Sequence, residues 1–361
     1  MLPPTILSAA LVVLWSAVGL CALSPCKNPQ VRREWRAFST DEKAEWIRAV
    51  KCLSTLPHNP ALAPSVDPSD SVIPPVNASS SYYDDIVYMH MDLSTRVHFT
   101  GYFLPWHRWY VHVFERSLEH KCGYRGVSPY WNWTIDAPDF YESSFWDGSD
   151  PVSGLGGWGD PNSDWRVPDG AFSTMRVSYP SPHTVRRDYT YQPFDESNPL
   201  FPQPLLIGNA SFSASVIKAI LGTSAGDYKG FQTMLEAPEG PHGGVHVTVD
   251  GDLGGTCPEN APSNCVGGPK WSPNDPLFWM HHAMVDKIWY NWQQLDPRNA
   301  NSFFGGASEP TDNLTIYDEY PNGGPPFLTV NSTMPADGMF PVLTIGDVLN
   351  TTGGVLCYVY E

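Results

Sequence analysis

Ser39, followed three residues later by Glu42, has the spacing of a capping box, and from Asp41 to Leu56 apolar side chains recur at helical intervals until Pro57. That pattern predicts a first helix. Proline and serine dominate from Pro57 to Ser81, which reads as a surface loop, and a helical pattern resumes at Tyr82 to Asp92. A second strong helix is expected from about Trp106 to His120, with Trp109 and Val113 on one face. From Trp133 to Gln203 no period is sustained, and glycine, proline, aspartate and aromatics predict ordered irregular structure held by side-chain packing. A short helix is expected within Phe231 to Val249, and another at Asp275 to Gln294 with Asp275 as N-cap and Pro276 at the first helical position. After Asp296 the pattern turns to short β-like runs that end in YVY at Tyr358 to Tyr360. The expected fold is therefore mainly α: a four-helix bundle with long loops and a few short strands.

The 361 residues leave room for one large domain, read here as residues 23–361. Residues 1–22 read as a secretory signal peptide, although the segment lacks the usual positive charge at its start. No other stretch is long and apolar enough to span a bilayer. Acidic residues outnumber basic ones 38 to 21, a balance that repels phosphate backbones and makes nucleic acid an unlikely partner by charge alone.

Loss of the leader removes Cys21 and leaves an even set of cysteines, suited to disulfides in an oxidising, extracellular compartment. Cys257 and Cys265 are close enough to close one loop. Cys52 with Cys122, and Cys26 with Cys357, would then tie the helical core and the two chain ends. Glycosylation signals at Asn77, Asn209, Asn313, Asn331 and Asn350 fall in polar, turn-rich sequence, whereas the one at Asn132 lies among large aromatics in PYWNW and is expected to be buried.

The chemistry lies in the histidines. Of 11, three form one group in sequence, His90, His98 and His107, and three another, His242, His246 and His282. In PHGGVH, His242 and His246 are spaced to project from one helical face toward a single ion. Inward-facing ligands from several helices make a bundle-core metal site. Three imidazoles per ion suit copper, zinc, iron or nickel, so ligand type does not choose the metal. Two adjacent all-histidine sites narrow the field to a redox pair that shares dioxygen, or a zinc pair that activates water. His58, His112, His120 and His183 read as structural.

FLPWHRWY around His107, PYWNW at Pro129 to Trp133, HGGVH at His242 and NDPLFWMHHAMVDKIW around His282 together resemble the tyrosinase, catechol oxidase and haemocyanin family, in a short secreted form similar to fungal members. VRREWR at Val31 to Arg36 and the terminal YVY extend the resemblance over most of the chain. It implies two copper ions, the first held by His90, His98 and His107 and the second by His242, His246 and His282, with dioxygen as co-substrate and small phenols as substrates. His281 is expected about 100° around the helix from His282, pointing elsewhere and supporting the ligands from behind. Asp286, one turn beyond His282, is expected to hold a ligand imidazole through its second N–H, the alternative being a salt bridge to Arg32 or Arg33.

Departures from the family pattern bear on substrate. Arg96 stands where many members carry the cysteine of a thioether crosslink, so none is expected. Gly243 stands where members that hydroxylate monophenols often have asparagine, which with a nearby glutamate, read here as Glu236 in preference to Glu239, orients a water. Gly243 and Gly244 are each unfavourable inside a helix by about 1 kcal/mol, which suggests space kept for a ring. Phe278 is expected against His282, as packing or as a wall for the substrate. No covering domain follows YVY, so the site is expected to be open. The resemblance thus implies oxidation of o-diphenols, extending to o-aminophenols, with little monophenol hydroxylation. A true tyrosinase, an oxygen carrier and a dizinc hydrolase are the alternatives.

Overall fold

The computed structural model describes residues 26–66, 73–195 and 197–361; the leader-like segment 1–22 lies outside them. Helix α1 spans Thr40–Leu53 and begins in the expected capping box. It ends before Leu56 because Ser54 and Thr55 turn their hydroxyls back onto the Lys51 and Cys52 carbonyls, while Pro57 disfavours helical geometry ahead of it.

Helix α2, Tyr82–Val97, continues past Asp92 because Leu93 and Val97 stay buried. Helix α3, Phe103–Cys122, starts earlier than expected; Pro105 sits in its first turn, where a missing N–H costs nothing, and Gly123 closes it in the left-handed conformation (φ 68°).

The helix expected within 231–249 is preceded by α4, Ala214–Leu221, and is itself two: α5, Tyr228–Glu236, and α6, Pro241–Val249. Pro238 causes the break, forcing Ala237 into extended geometry (φ −45°, ψ 147°). One further turn, α7 at Gly251–Gly254, follows. Helix α8, Leu277–Leu295, begins one residue later than the sequence suggests, with Pro276 as N-cap. Asp275 still caps it, accepting the Leu277 N–H at 3.0 Å while bound to buried Arg187.

Helix α3 lies at the centre, packed on α1, α2 and α8, and α6 closes the bundle through α5 and α7. Phe114 on α3 stacks on Trp279 on α8 with centroids 3.7 Å apart; such a pair adds about 1 kcal/mol beyond its buried area. The stretch 133–203 is irregular as expected, ordered by contacts such as Trp146 on Trp158 at 4.1 Å.

Among the described residues, six short strands form three ribbons: β1 (Gln30–Arg32) with β6 (Tyr358–Tyr360), parallel; β2 (Arg176–Val177) with β3 (His183–Thr184); and β4 (Gly306–Ser308) with β5 (Gly324–Phe327). Disulfides join Cys26 to Cys357, Cys52 to Cys122 and Cys257 to Cys265. Among the described residues no helix is long and apolar enough to cross a membrane.

Candidate metal centre

Each histidine of the two groups is placed by a local backbone feature. His90 lies mid-way along α2 and its Nδ1 donates to the Lys270 carbonyl at 2.6 Å. His98 terminates the same helix: it leaves helical geometry (φ −115°, ψ 145°), and its Nδ1 donates to the Ser94 carbonyl at 2.9 Å. His107, in the first turns of α3, donates to the Phe103 carbonyl at 2.8 Å, and His246 on α6 to the Leu253 carbonyl at 2.7 Å. A carbonyl only accepts, so in these four rings Nδ1 carries the proton and Nε2 presents its lone pair.

The Nε2 atoms of His90, His98, His107, His242, His246 and His282 are all buried without a hydrogen-bond partner. An orphaned buried polar atom costs about 1–3 kcal/mol, so several together mark a place built for a ligand. The candidate ligand atoms of His90, His98 and His107 lie within 4.8 Å of one another, and so do those of His242, His246, His281 and His282. The groups also face each other: the rings of His107 and His282 stack at 4.3 Å, and those of His98 and His242 lie 5.9 Å apart. Burial, then the neighbouring imidazoles, hold His90, His107, His242 and His282 well below the usual histidine pKa, and burial pushes His98 and His246 down to about 4. All six are neutral near pH 7, as metal ligands must be. Among the described residues no cysteine or carboxylate joins either group. This all-imidazole donor set fits copper.

His281 does not point away. Its ring is 4.7 Å from that of His246 and 5.6 Å from that of His242, and neither of its nitrogens has a hydrogen-bond partner. The expectation failed because α8 is enclosed on every side here, from Leu277 to Asp286, so a 100° rotation moves the ring from one wall of the same chamber to another. His282 faces the first group, and His281 backs onto Trp133 at 6.3 Å.

Asp286 does not hold an imidazole. Its carboxylate takes Arg108 Nε at 2.5 Å, the Tyr358 and Tyr360 hydroxyls at 2.5 and 2.7 Å, and Arg32 at 3.5 Å. The two arginines outcompete a neutral ring for a buried anion. Of the two salt-bridge partners considered, Arg32 is present, and Arg33 instead pairs with Glu42.

A cavity of about 290 Å³ opens onto His98, His242 and His246, with Phe99, Leu200, Phe201 and Val247 as apolar walls. Glu236 and Gly243 also line it. Burial holds Glu236 well above the usual carboxylate range, opposed by two hydrogen bonds: Oε1 accepts the Phe99 N–H and Oε2 the Gln232 amide. Phe99 adopts φ 51°, a left-handed conformation that the Glu236 bond helps hold. Glu239 lies elsewhere, capping the Gln203 N–H.

The two glycines divide. Gly244 is a close helix contact, since a Cβ there would meet Ser211 Oγ at 1.8 Å, and it keeps no space for a ring. At Gly243 a Cβ would meet the Pro238 carbonyl at 2.7 Å. Phe278 packs at 4.2 Å from His282 and 5.1 Å from His90 but is absent from the cavity wall, so it backs the imidazoles and does not wall a substrate.

Among the glycosylation signals, Asn77, Asn313, Asn331 and Asn350 are exposed. Asn209 is not free: its amide donates to the Ala137 carbonyl, and its Oδ1 is buried. Of the remaining histidines, His58 binds Asp85, His183 binds Asp252 and His120 lies 2.7 Å from Arg116. The supporting carbonyls of Lys270 and Leu253, and Arg108 beside His107, left no sequence signal, because each acts through the backbone or across a tertiary contact.

Residues 80–295, more than half of the chain, match the family described as the common central domain of tyrosinase. A tyrosinase-like protein of Diaporthe leptostromiformis is 30% identical over 98% of this chain and 84% of its own length. An N-acetyl-6-hydroxytryptophan oxidase of Emericella nidulans is 29% identical over 98% of both chains. Among solved structures, a mutant polyphenol oxidase from Thermothelomyces thermophila superposes with a TM-score of 0.65 at 25% identity, covering 92% of this chain and 89% of that one. Two facing histidine groups with orphaned Nε2 atoms, on a mainly helical fold that matches along its length, leave one conclusion: the chain belongs to the tyrosinase family of type-3 copper oxidoreductases, which use dioxygen on small phenols.

Proposed function

We propose that this chain is a secreted o-diphenol oxidase, one domain over residues 23–361, that binds one copper ion through His90, His98 and His107 and a second through His242, His246 and His282. The observation that carries the reading is the set of buried, unpartnered Nε2 atoms, that of His281 included, in two facing groups beside an aromatic-sized cavity. Bound there, a copper pair supplies the redox capacity to pass electrons from diphenol to dioxygen. Two diphenols each lose two electrons and two protons, giving two o-quinones, and one dioxygen becomes two waters.

The side chains do the rest. Phe99, Leu200, Phe201 and Val247 exclude water and hold the ring flat. His98, His242 and His246 present the reactive end of the cavity to the substrate oxygens. His281, behind His242 and His246, fixes their ring positions.

Monophenol hydroxylation is expected to be weak. Both Glu236 oxygens already accept hydrogen bonds, and Gly243 offers no side chain to hold a water between that carboxylate and an incoming phenol. Oxygen uptake by the copper-loaded protein should be fast with methylcatechol, slower with o-aminophenol and near background with tyrosine. Tyrosine turnover comparable with that of methylcatechol would make the chain a true tyrosinase. Two bound coppers without turnover of any diphenol would point to an oxygen carrier.

A further inference from the structure

Among the described residues, Lys270 is the one lysine or arginine on the wall of the cavity. Its backbone carbonyl holds His90, which pins the residue beside the first histidine group. Its side chain is half-buried and, among the described residues, its ammonium makes neither an ion pair nor a hydrogen bond, and burial lowers its pKa from the ordinary lysine value. The carboxylates that share the wall do not neutralise it. Glu236 is committed to Phe99 and Gln232, and Glu309 accepts the Thr311 N–H without forming an ion pair.

A half-buried charge without a partner costs free energy that a ligand of opposite sign recovers. The context sharpens the point. With a net charge of −17 the protein as a whole repels anions, so an anionic substrate needs a local cation to bind here. The wall around Lys270 is mostly apolar, with Phe99, Leu200, Phe201 and Val247 beside the hydrogen-bonded Glu236 and Glu309, which suits a ring bearing one charged group at its far end.

We propose that Lys270 is a specificity-determining residue that selects ring substrates carrying a carboxylate on the side chain, its ammonium pairing with that carboxylate while the ring lies over His98, His242 and His246. This rests on the diphenol reading for its catalytic consequence, but the binding event does not require turnover.

Two readouts on the copper-loaded protein test it. The first is binding of phenylpropanoate, which has no ring hydroxyl to oxidise, followed by tryptophan fluorescence; the second is the ratio of kcat/KM for dihydrocaffeate to that for methylcatechol. Lys270→Gln should weaken phenylpropanoate binding and lower the ratio by about fivefold, the size of a partly exposed ion pair. The change should fall on KM, Lys270→Arg should restore both, and Lys270→Glu should shift preference toward dopamine. A general disturbance of the site would lower both substrates together and leave the ratio unchanged. An unchanged ratio and unchanged phenylpropanoate affinity in Lys270→Gln overturn the assignment. Loss of phenylpropanoate binding in that variant, in a protein that oxidises no diphenol, would uphold the anion site and refute the catalytic reading.

Discussion

The histidines divide in two ways. By metal they form two groups, but by access they form a front set, His98, His242 and His246, on the cavity wall, and a back set, His90, His107 and His282, walled in by Phe278, Trp106 and Tyr110. Each copper site therefore has members in both sets. The back set is part of the core: His107 and His282 stack on each other, and Phe278 packs against His282. The front set includes the ring that ends α2 and the two on α6, the helix whose first turn borders the opening. In the proposed reading, the difference separates what holds the metals apart from what lets the substrate in.

That contrast can be broken by substitution. His98→Ala and His282→Ala should both lower diphenol oxidation by about a thousandfold or more, because each removes a proposed ligand. They should differ in the metal-free protein. His282→Ala opens a buried hole of the kind that costs about 2–5 kcal/mol, whereas His98→Ala only enlarges the cavity. Thermal unfolding after copper removal checks this, and equal losses in both variants would erase the front and back distinction.

Next in size is the ionic network behind α3 and α8. Arg108 follows His107, and Asp286 lies one turn beyond His282, so their buried pair fastens the two helices that carry the stacked rings. Arg108 also binds the Val348 and Leu349 carbonyls and covers the Trp289 ring at 3.6 Å. Asp286→Ala takes the only carboxylate partner from buried Arg108 among the described residues, while Arg32 keeps Glu115 at 2.6 Å, and it should cost about 3–5 kcal/mol in denaturant unfolding. Because Asp286 touches no histidine, the variant should still bind two coppers at low temperature. Loss of only the second copper would restore the direct role that the structure denies it.

Much of this was legible in the sequence. The pair at His242 and His246 is readable from helical spacing alone, and the family resemblance orders the other four. What was hidden depended on distant contacts. Helical angle says where His281 points relative to His282, but not that α6 and Trp133 enclose both directions. Besides Arg108 on α3, the partners of Asp286 come from β1 and β6 at the two chain ends, joined by Cys26–Cys357. The break at Pro238 was visible as a proline, yet the apolar pattern ran through it. Gly244 looked like room for a ring because sequence cannot show Ser211 against it.

Acid should act on the histidine groups with a definite sign. His98 and His246 have folded pKa values near 4, below the free histidine value of 6.5. The unfolded chain therefore binds protons first, and their contribution to stability, present above pH 6.5, is lost as pH falls toward 4. The metal-free protein should show a falling Tm across that window, steeper than in a His98→Ala variant.

Asp337 runs the other way and gives the smallest effect. Burial raises its pKa from 3.8 to about 7, against a hydrogen bond from Ser65. Its contribution is favourable below pH 3.8 and lost as pH rises through about 7, so Asp337→Asn should raise Tm above neutrality and leave it nearly unchanged at pH 4. An equal shift at both pH values would refute the linkage.

The most direct test of the copper assignment is crystallography of the copper-loaded chain with anomalous data at the copper edge. Two ions per chain are predicted, one among His90, His98 and His107 and one among His242, His246 and His282, close enough to share one dioxygen, with His281 outside the coordination. A single ion, ions held through carboxylates, or two ions too far apart to share a small ligand would contradict it.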